Sequence, residues 1–158
     1  MTYEETLHYL YTSIPVFQHS GASAYKPGLG TSIALDDYLG NPHKAYKTIH
    51  VAGTNGKGSV SHLLAAILRQ SGFKVGLYTS PHLVDFRERI RVNGKKISQD
   101  YVVDFVERHR SFFEPLHPSF FELTSSMAFE YFRDQQVNYA VIEVGLGGRL
   151  DSTNIITP

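Results

Sequence analysis

The stretch from residue 48 to residue 81 constrains the fold more than any other part of the chain. Thr48-Ile-His-Val-Ala52 is a short β-rich run, and Gly53-Thr-Asn-Gly-Lys-Gly-Ser59 follows it at once. From Ser59 to Ser71, Val60, Leu63, Leu64, Ile67 and Leu68 fall on one helical stripe, and Gly72 sits where a helix ends in a left-handed residue. Lys74-Val-Gly-Leu-Tyr-Thr79 is a second β-rich run, closed by Ser80-Pro81. Strand, tight turn, helix and strand at this spacing form a βαβ unit. Such a unit requires a parallel sheet and a right-handed crossover.

The flanking segments read as follows. Thr2 caps a first helix that carries Glu4 and Glu5 in its opening turn and Leu7, Leu10, Tyr11 and Ile14 at helical spacing, with Pro15 stopping it. Residues 18–45 are rich in Gly, Pro, Ser and His, and read as an irregular loop around one short helix near Ser32–Leu39. Asn93-Gly94, inside Ile90–Ile97, predicts a hairpin. Ser98 caps a helix with Val102, Val103, Phe105, Val106 and Phe113 on its apolar face, ended by Pro115 and Pro118. A further helix spans about Phe120 to Gln135, and Tyr139-Ala-Val-Ile-Glu-Val144 is continuous enough to be a strand covered on both faces.

The glycine-rich turn carries the chemistry. Glycines without Cβ let successive backbone N–H groups converge on a polyphosphate, and a helix starting near Ser59 aims its positive end at the same point. Lys57 adds a mobile cation and Ser59 a hydroxyl. The turn departs from G-x-x-x-x-G-K-[ST]: Val51 stands where the first glycine belongs, and Gly58 separates Lys57 from Ser59. The bland alternative is a βα turn with a solvated lysine. Glu143, near the end of an apolar strand, suits Mg²⁺ beside bound phosphates, and the alternative is a glutamate paired with a basic neighbour. Ser80 stands similarly at the end of the second strand, where alone it is a turn serine.

Composition narrows the partners. The 158 residues carry 15 Lys+Arg and 15 Asp+Glu, so there is no basic field for nucleic acid or an anionic membrane. With no cysteine, thiol nucleophiles, disulfides and thiolate metal sites are excluded. The acidic start at Met1–Glu5 is not a signal peptide, and no apolar stretch approaches the ~20 residues of a membrane span, so the expectation is a soluble, cytoplasmic protein.

Four segments together resemble a known family. His50–Ser59, Tyr78-Thr-Ser-Pro-His82, Glu88-Arg-Ile90 and Ile142-Glu-Val-Gly-Leu-Gly-Gly-Arg-Leu-Asp-Ser-Thr-Asn154 are similar to folylpolyglutamate synthase/dihydrofolate synthase, a member of the Mur-ligase group of ATP-dependent amide-bond-forming enzymes. The fold this implies is α/β: a P-loop-type three-layer α/β/α with a mostly parallel sheet. The resemblance implies addition of L-glutamate to a folate or dihydropteroate carboxylate through an acyl phosphate. It carries ATP binding onto Thr54, Asn55, Gly56, Lys57, Gly58 and Ser59, catalysis onto Lys57 and Glu143, and Mg²⁺ onto Ser80 and Glu143. Substrate contacts fall on Leu29, Gly30, Thr31, Pro81, Phe120, Phe121, Glu122, Leu150, Asp151 and Ser152. The loop Pro81–Arg89 matches the segment that closes over the folate.

Several of these positions have structural alternatives. Phe120 and Phe121 read equally as core aromatics, Asp151 as an Asx-turn residue, and Arg87–Arg91 as a solvated hairpin face. His50 and His82 read as hydrogen-bonded structural histidines rather than metal ligands. The family's members are longer, so residues 1–158 are expected to be an incomplete N-terminal ATP-binding domain, inactive alone, of a monomeric parent. A third Mg²⁺-binding histidine and a C-terminal glutamate-ligase domain would lie beyond Pro158. The missing strands would leave an apolar edge along Tyr139–Val144 and marginal solubility. Two other functions remain in view: a P-loop phosphotransferase or NTPase, and a non-catalytic nucleotide-binding module.

Overall fold

The computed structural model describes residues 1–14, 29–145 and 151–158. Helix α1 (Tyr3–Thr12) starts where Thr2 accepts from the Glu5 amide while the Glu5 side chain reaches back to the cap. Pro15 lies outside the described residues. Helix α2 (Gly30–Tyr38) follows, then a 3₁₀ turn (Pro42–Ala45). Strand β1 (Lys47–Val51), helix α3 (Lys57–Gln70) and strand β2 (Val75–Tyr78) form the unit read from the sequence. A 3₁₀ turn (Phe86–Arg89) leads into the hairpin β3 (Ile90–Val92) and β4 (Lys95–Lys96). Helices α4 (Gln99–Phe113) and α5 (Phe120–Asp134) precede strand β5 (Tyr139–Glu143).

The sheet runs β1-β5-β2-β3-β4. β1, β5 and β2 are parallel, whereas the β3–β4 hairpin attaches antiparallel to β2. Asn93 (φ 48°) and Gly94 (φ 80°) make its turn, the left-handed pair that a two-residue hairpin demands. Alternation along the strands divides the core between the two faces. Val75, Leu77 and Val141 point to α3, where Leu64, Ala65 and Leu68 meet them. Tyr78, Ala140 and Ile142 point the other way, into a larger cluster built with Leu10 of α1, Phe105 of α4 and Phe132 of α5. Helices therefore cover both faces, as a parallel sheet requires.

Three expectations are corrected. Tyr139–Val144 is not an exposed edge: β5 lies between β1 and β2, and Ala140–Glu143 are buried. Among the described residues the edge of the parallel strands is β1, because the chain returning from α5 fills the gap left by the β1–β2 crossover. The run Arg87–Arg91 is not a solvated face. Asp85 and Glu88 cap the 3₁₀ turn reciprocally, and this tight turn carries Arg89 (2% exposed) and Ile90 (0%) inward. The α3 stripe is also split. Leu64 and Leu68 face the sheet, while Val60, Leu63 and Ile67 are exposed.

Candidate active site at the carboxyl ends of the parallel strands

The three parallel strands end at one edge, with Val51 opposite Glu143 and Tyr78 opposite Ile142. The segments following them therefore cluster at the carboxyl end of the sheet, the usual ligand position in open α/β sheets. After β1 the chain turns through exposed residues 52–56, with Gly53 at φ 145° and Gly56 at φ 75°. Gly56 is the N-cap of α3, so the helix begins at Lys57, two residues before the start expected from the apolar stripe. The first intrahelical bond runs from the Val60 amide to the Gly56 carbonyl, 3.0 Å. The amides of Lys57, Gly58 and Ser59 thus have no carbonyl of their own helix to bond, and they sit where the helix dipole is positive.

Lys57 reaches across to β5, donating from Nζ to the Val144 carbonyl at 3.0 Å. Beside it Glu143 is buried (4% exposed), and its Oε2 has no hydrogen-bond partner. A Cβ at Gly58 would stand 3.9 Å from that oxygen, so the glycine brings the helix start against the carboxylate. Burial raises the Glu143 pKa; Lys57 and the backbone N–H of Ser80 act in the opposite direction. The Ser80 hydroxyl lies over Gly145, 3.7 Å from where a Cβ would be. Ser80, Glu143 and the α3 N-terminus thus share one spot. A buried carboxylate oxygen with nothing to accept from is costly unless a cation is supplied. One carboxylate and a hydroxyl fit Mg²⁺, which keeps several waters, better than a metal needing an all-protein cage. Among the described residues no group of three or more His, Cys, Asp or Glu side chains forms such a cage.

Asp151 fixes the other wall. Its Oδ1 accepts from the Gly145 amide (2.9 Å), and its Oδ2 accepts from the Thr153 amide (2.9 Å) and from the Thr153 hydroxyl. The Thr153 bond is the Asx turn considered from sequence; the Gly145 bond additionally clamps the end of β5. Thr153 Oγ1 in turn meets His50 Nε2 at 2.8 Å, and burial lowers the His50 pKa while Asp151 acts against that shift. Ser152 Oγ lies 3.3 Å from Ser125 Oγ and 3.3 Å from the Phe121 carbonyl. Of the aromatic pair, Phe120 is buried in the core and Phe121 is half-buried beside it. Glu122 accepts from the Ser119 amide at 2.8 Å, so it closes the cap of α5. Pro81 follows Ser80 through a cis peptide bond. Leu29, Gly30 and Thr31 open α2, which packs on α5, and Leu150 lies outside the described residues.

Tyr11 reads in the sequence only as part of the α1 stripe, and Arg89 only as a member of the Pro81–Arg89 loop and the Arg87–Arg91 run; the structure brings the two together. Arg89 Nε donates to His82 Nδ1 (2.7 Å), His82 Nε2 meets the Tyr11 hydroxyl (2.9 Å), and Tyr11 stacks on Phe120 with centroids 5.4 Å apart. The Arg89 guanidinium also lies over the rings of Phe120 and Phe121. No local signal in the sequence joins residues this far apart; only the burial of Arg89 reveals the cluster.

A mostly parallel sheet with helices on both faces, a glycine-rich loop opening a helix and a buried acid at the neighbouring strand end define an α/β fold of P-loop type. No protein-family model matches the chain. A curated relative, the dihydrofolate synthase/folylpolyglutamate synthase of Bacillus subtilis, is 41% identical over 84% of this chain and 33% of its own length. The crystal structure of Thermotoga maritima folylpolyglutamate synthase is 48% identical and superposes with a TM-score of 0.87 over 99% of this chain and 36% of its own. A folylpolyglutamate synthase complex with AMPPCP and folate gives a TM-score of 0.86 at 38% identity, over 100% of this chain and 38% of its own. The relatives of about 40% identity are folylpolyglutamate and dihydrofolate synthases, and the chain corresponds to the N-terminal part of them. It spans about a third of the length of the relatives it matches.

Proposed function

We propose that the polypeptide carrying this chain is an ATP-dependent ligase that joins L-glutamate to a folate or dihydropteroate carboxylate, and that this part of it activates the carboxylate. The observation that carries the reading is the meeting of Lys57, the α3 N-terminus and the partnerless Glu143 oxygen at one strand edge. The relatives' names and the folate complex supply the substrate class.

A carboxylate is a poor acyl donor because its oxygen leaves badly. Transfer of the terminal phosphoryl group of ATP onto that oxygen makes an acyl phosphate, and the amine of glutamate then attacks the acyl carbon and expels inorganic phosphate. The protein's share is positioning and charge neutralisation. Backbone N–H groups of Thr54, Asn55, Gly56, Lys57, Gly58 and Ser59 cradle the phosphates, and the Lys57 ammonium, already at the carboxyl end of β5, neutralises the transferring group. Glu143 and Ser80 would hold Mg²⁺, which supplies charge neutralisation between the phosphates. Phe121, Ser152 and Asp151 belong to the side from which the carboxylate substrate approaches, with Pro81, Phe120 and Glu122 behind it; Leu29–Thr31 and Leu150 are the further positions that the family resemblance assigns to the substrate.

The test is ATP turnover by the full-length protein with dihydropteroate or folate and glutamate, supplied singly and together. Phosphate release with a new glutamyl conjugate only when all are present supports the ligase. Phosphate release that ignores both co-substrates identifies an NTPase instead. In the same assay Lys57→Ala should reduce turnover at least a hundredfold with an unchanged melting profile, and near-normal ligation by that variant sinks the phosphate-loop assignment.

A further inference from the structure

We propose that Tyr11 of α1 contacts the substrate, presenting its hydroxyl proton to a hydrogen-bond acceptor of a planar aromatic ligand lying against Phe121, with His82 and Arg89 as the positioning residues behind it. The inference rests on the folate-type reading of the site and deepens it.

The direction of the hydrogen bonds follows from the donors. A guanidinium N–H only donates, so at 2.7 Å from Arg89 Nε the His82 Nδ1 must accept. The ring proton is then on Nε2, which donates to the Tyr11 oxygen at 2.9 Å. With Nδ1 accepting and Nε2 donating, the imidazole carries a single ring proton. With its oxygen already accepting from His82, Tyr11 directs its own proton elsewhere. No acceptor for it exists among the described residues. Burial raises the Tyr11 pKa, so the phenol remains a donor at neutral pH.

The relay is held at a cost the fold does not otherwise recover. Arg89 is 2% exposed and its Nη1 has no hydrogen-bond partner, and no carboxylate makes an ion pair with it among the described residues. Only the faces of Phe120 (5.1 Å) and Phe121 (6.0 Å) receive the charge. A buried cation left this poorly compensated is a weak device for stability. As a lock on the His82 tautomer it has a purpose: it sets the proton direction at Tyr11. Tyr11 stacks on Phe120 at an interplanar angle of 21°, and Phe121 beside it is only half-buried. The chemistry displayed is an aromatic face with a donor at the rim, which suits an electron-poor ring bearing hydrogen-bond acceptors or an aryl carboxylate.

Tyr11→Phe in the full-length protein keeps the ring and removes the donor. Dissociation constants for pteroic acid and for 6-hydroxymethylpterin, measured by isothermal titration calorimetry, should rise about five- to tenfold for at least one of them, with the AMPPCP affinity unchanged. A rise for both places the acceptor on the pterin ring. A rise for pteroic acid alone places it on the benzoate carboxylate. His82→Leu should reproduce the loss and His82→Asn, which can both accept from Arg89 and donate to Tyr11, should restore most of it. Unchanged affinity for both ligands in a folded Tyr11→Phe protein overturns the assignment while leaving the ligase reading intact. Failure of the unsubstituted protein to bind either ligand overturns both.

Discussion

At the scale of single residues, the site trades stability for charge at Glu143. Burial raises its pKa, so the ionised form is disfavoured in the fold. A carboxyl raised above its unfolded value binds its proton more tightly when folded, so stability is lost as pH rises through and above the ordinary glutamate range, about 4.5. Glu143→Gln removes that charge while keeping the shape. It should therefore raise the stability of the metal-free protein at pH 7 by on the order of 1 kcal/mol and flatten its pH dependence, while abolishing the magnesium requirement together with the activity. Urea denaturation at pH 5 and pH 8 checks the first part. A destabilised variant would mean that Lys57 already compensates the carboxylate. Glu143 was legible in the sequence because an acid ending an apolar strand is conspicuous. Arg89 was not, because within Arg87-Glu-Arg-Ile-Arg91 its neighbours are also charged, and only the 3₁₀ turn decides which of them turns inward.

At the scale of elements, α5 is the pillar on which the sheet rests, and two features of its packing were out of reach of pattern reading. Its length was visible in advance: the helix runs Phe120–Asp134, against the expected Phe120–Gln135, and Ser119, accepting from the Glu122 amide, caps it. What pattern could not supply was how close it comes to β2. A Cβ on Gly76 would stand 2.6 Å from the Phe132 ring, which is itself fully buried. Gly76→Ala should cost roughly 1–3 kcal/mol, read as a lowered urea midpoint, because the ring has no free direction in which to yield. The second feature is the buried Glu130. Burial pushes its pKa up, but hydrogen bonds from His109, Arg108 and Tyr101 outweigh that and bring it down to about 2. These contacts, at 2.7–2.8 Å, pin α4 to α5. A depressed carboxyl contributes stability above its unfolded pKa of about 4.5 that is lost as pH falls toward 2. Acid unfolding should therefore steepen across that window, and Glu130→Gln should lower stability at pH 7 by roughly 2–3 kcal/mol while removing the steepening.

At the scale of the whole molecule, the βαβ unit, the two-sided core and the carboxyl-edge site followed from the residues between Thr48 and Ser80, since helix and strand periods are local. Strand order did not follow, because nothing in Tyr139–Val144 says which gap it fills. That order decides which strand is left with one partner among the described residues. β1 is paired on one side only among the described residues, by β5, and its neighbour α3 exposes Val60 (48%), Leu63 (62%) and Ile67 (52%) on one face. These three sit at i, i+3 and i+7, one stripe on the same side of the sheet. An unpaired strand beside an exposed apolar helix stripe is a template for association. The 158-residue chain studied alone should therefore self-associate through this side rather than through the antiparallel β3–β4 end, which is short and carries Lys95 and Lys96. Light scattering against concentration reads this directly. Leu63→Lys with Ile67→Lys should shift the chain toward monomer with little loss of stability, because neither side chain belongs to the clusters on the sheet faces. If the double variant associates as before, the pairing runs through the β1 backbone, and a proline at Thr48, whose N–H faces away from β5, becomes the change that should stop it.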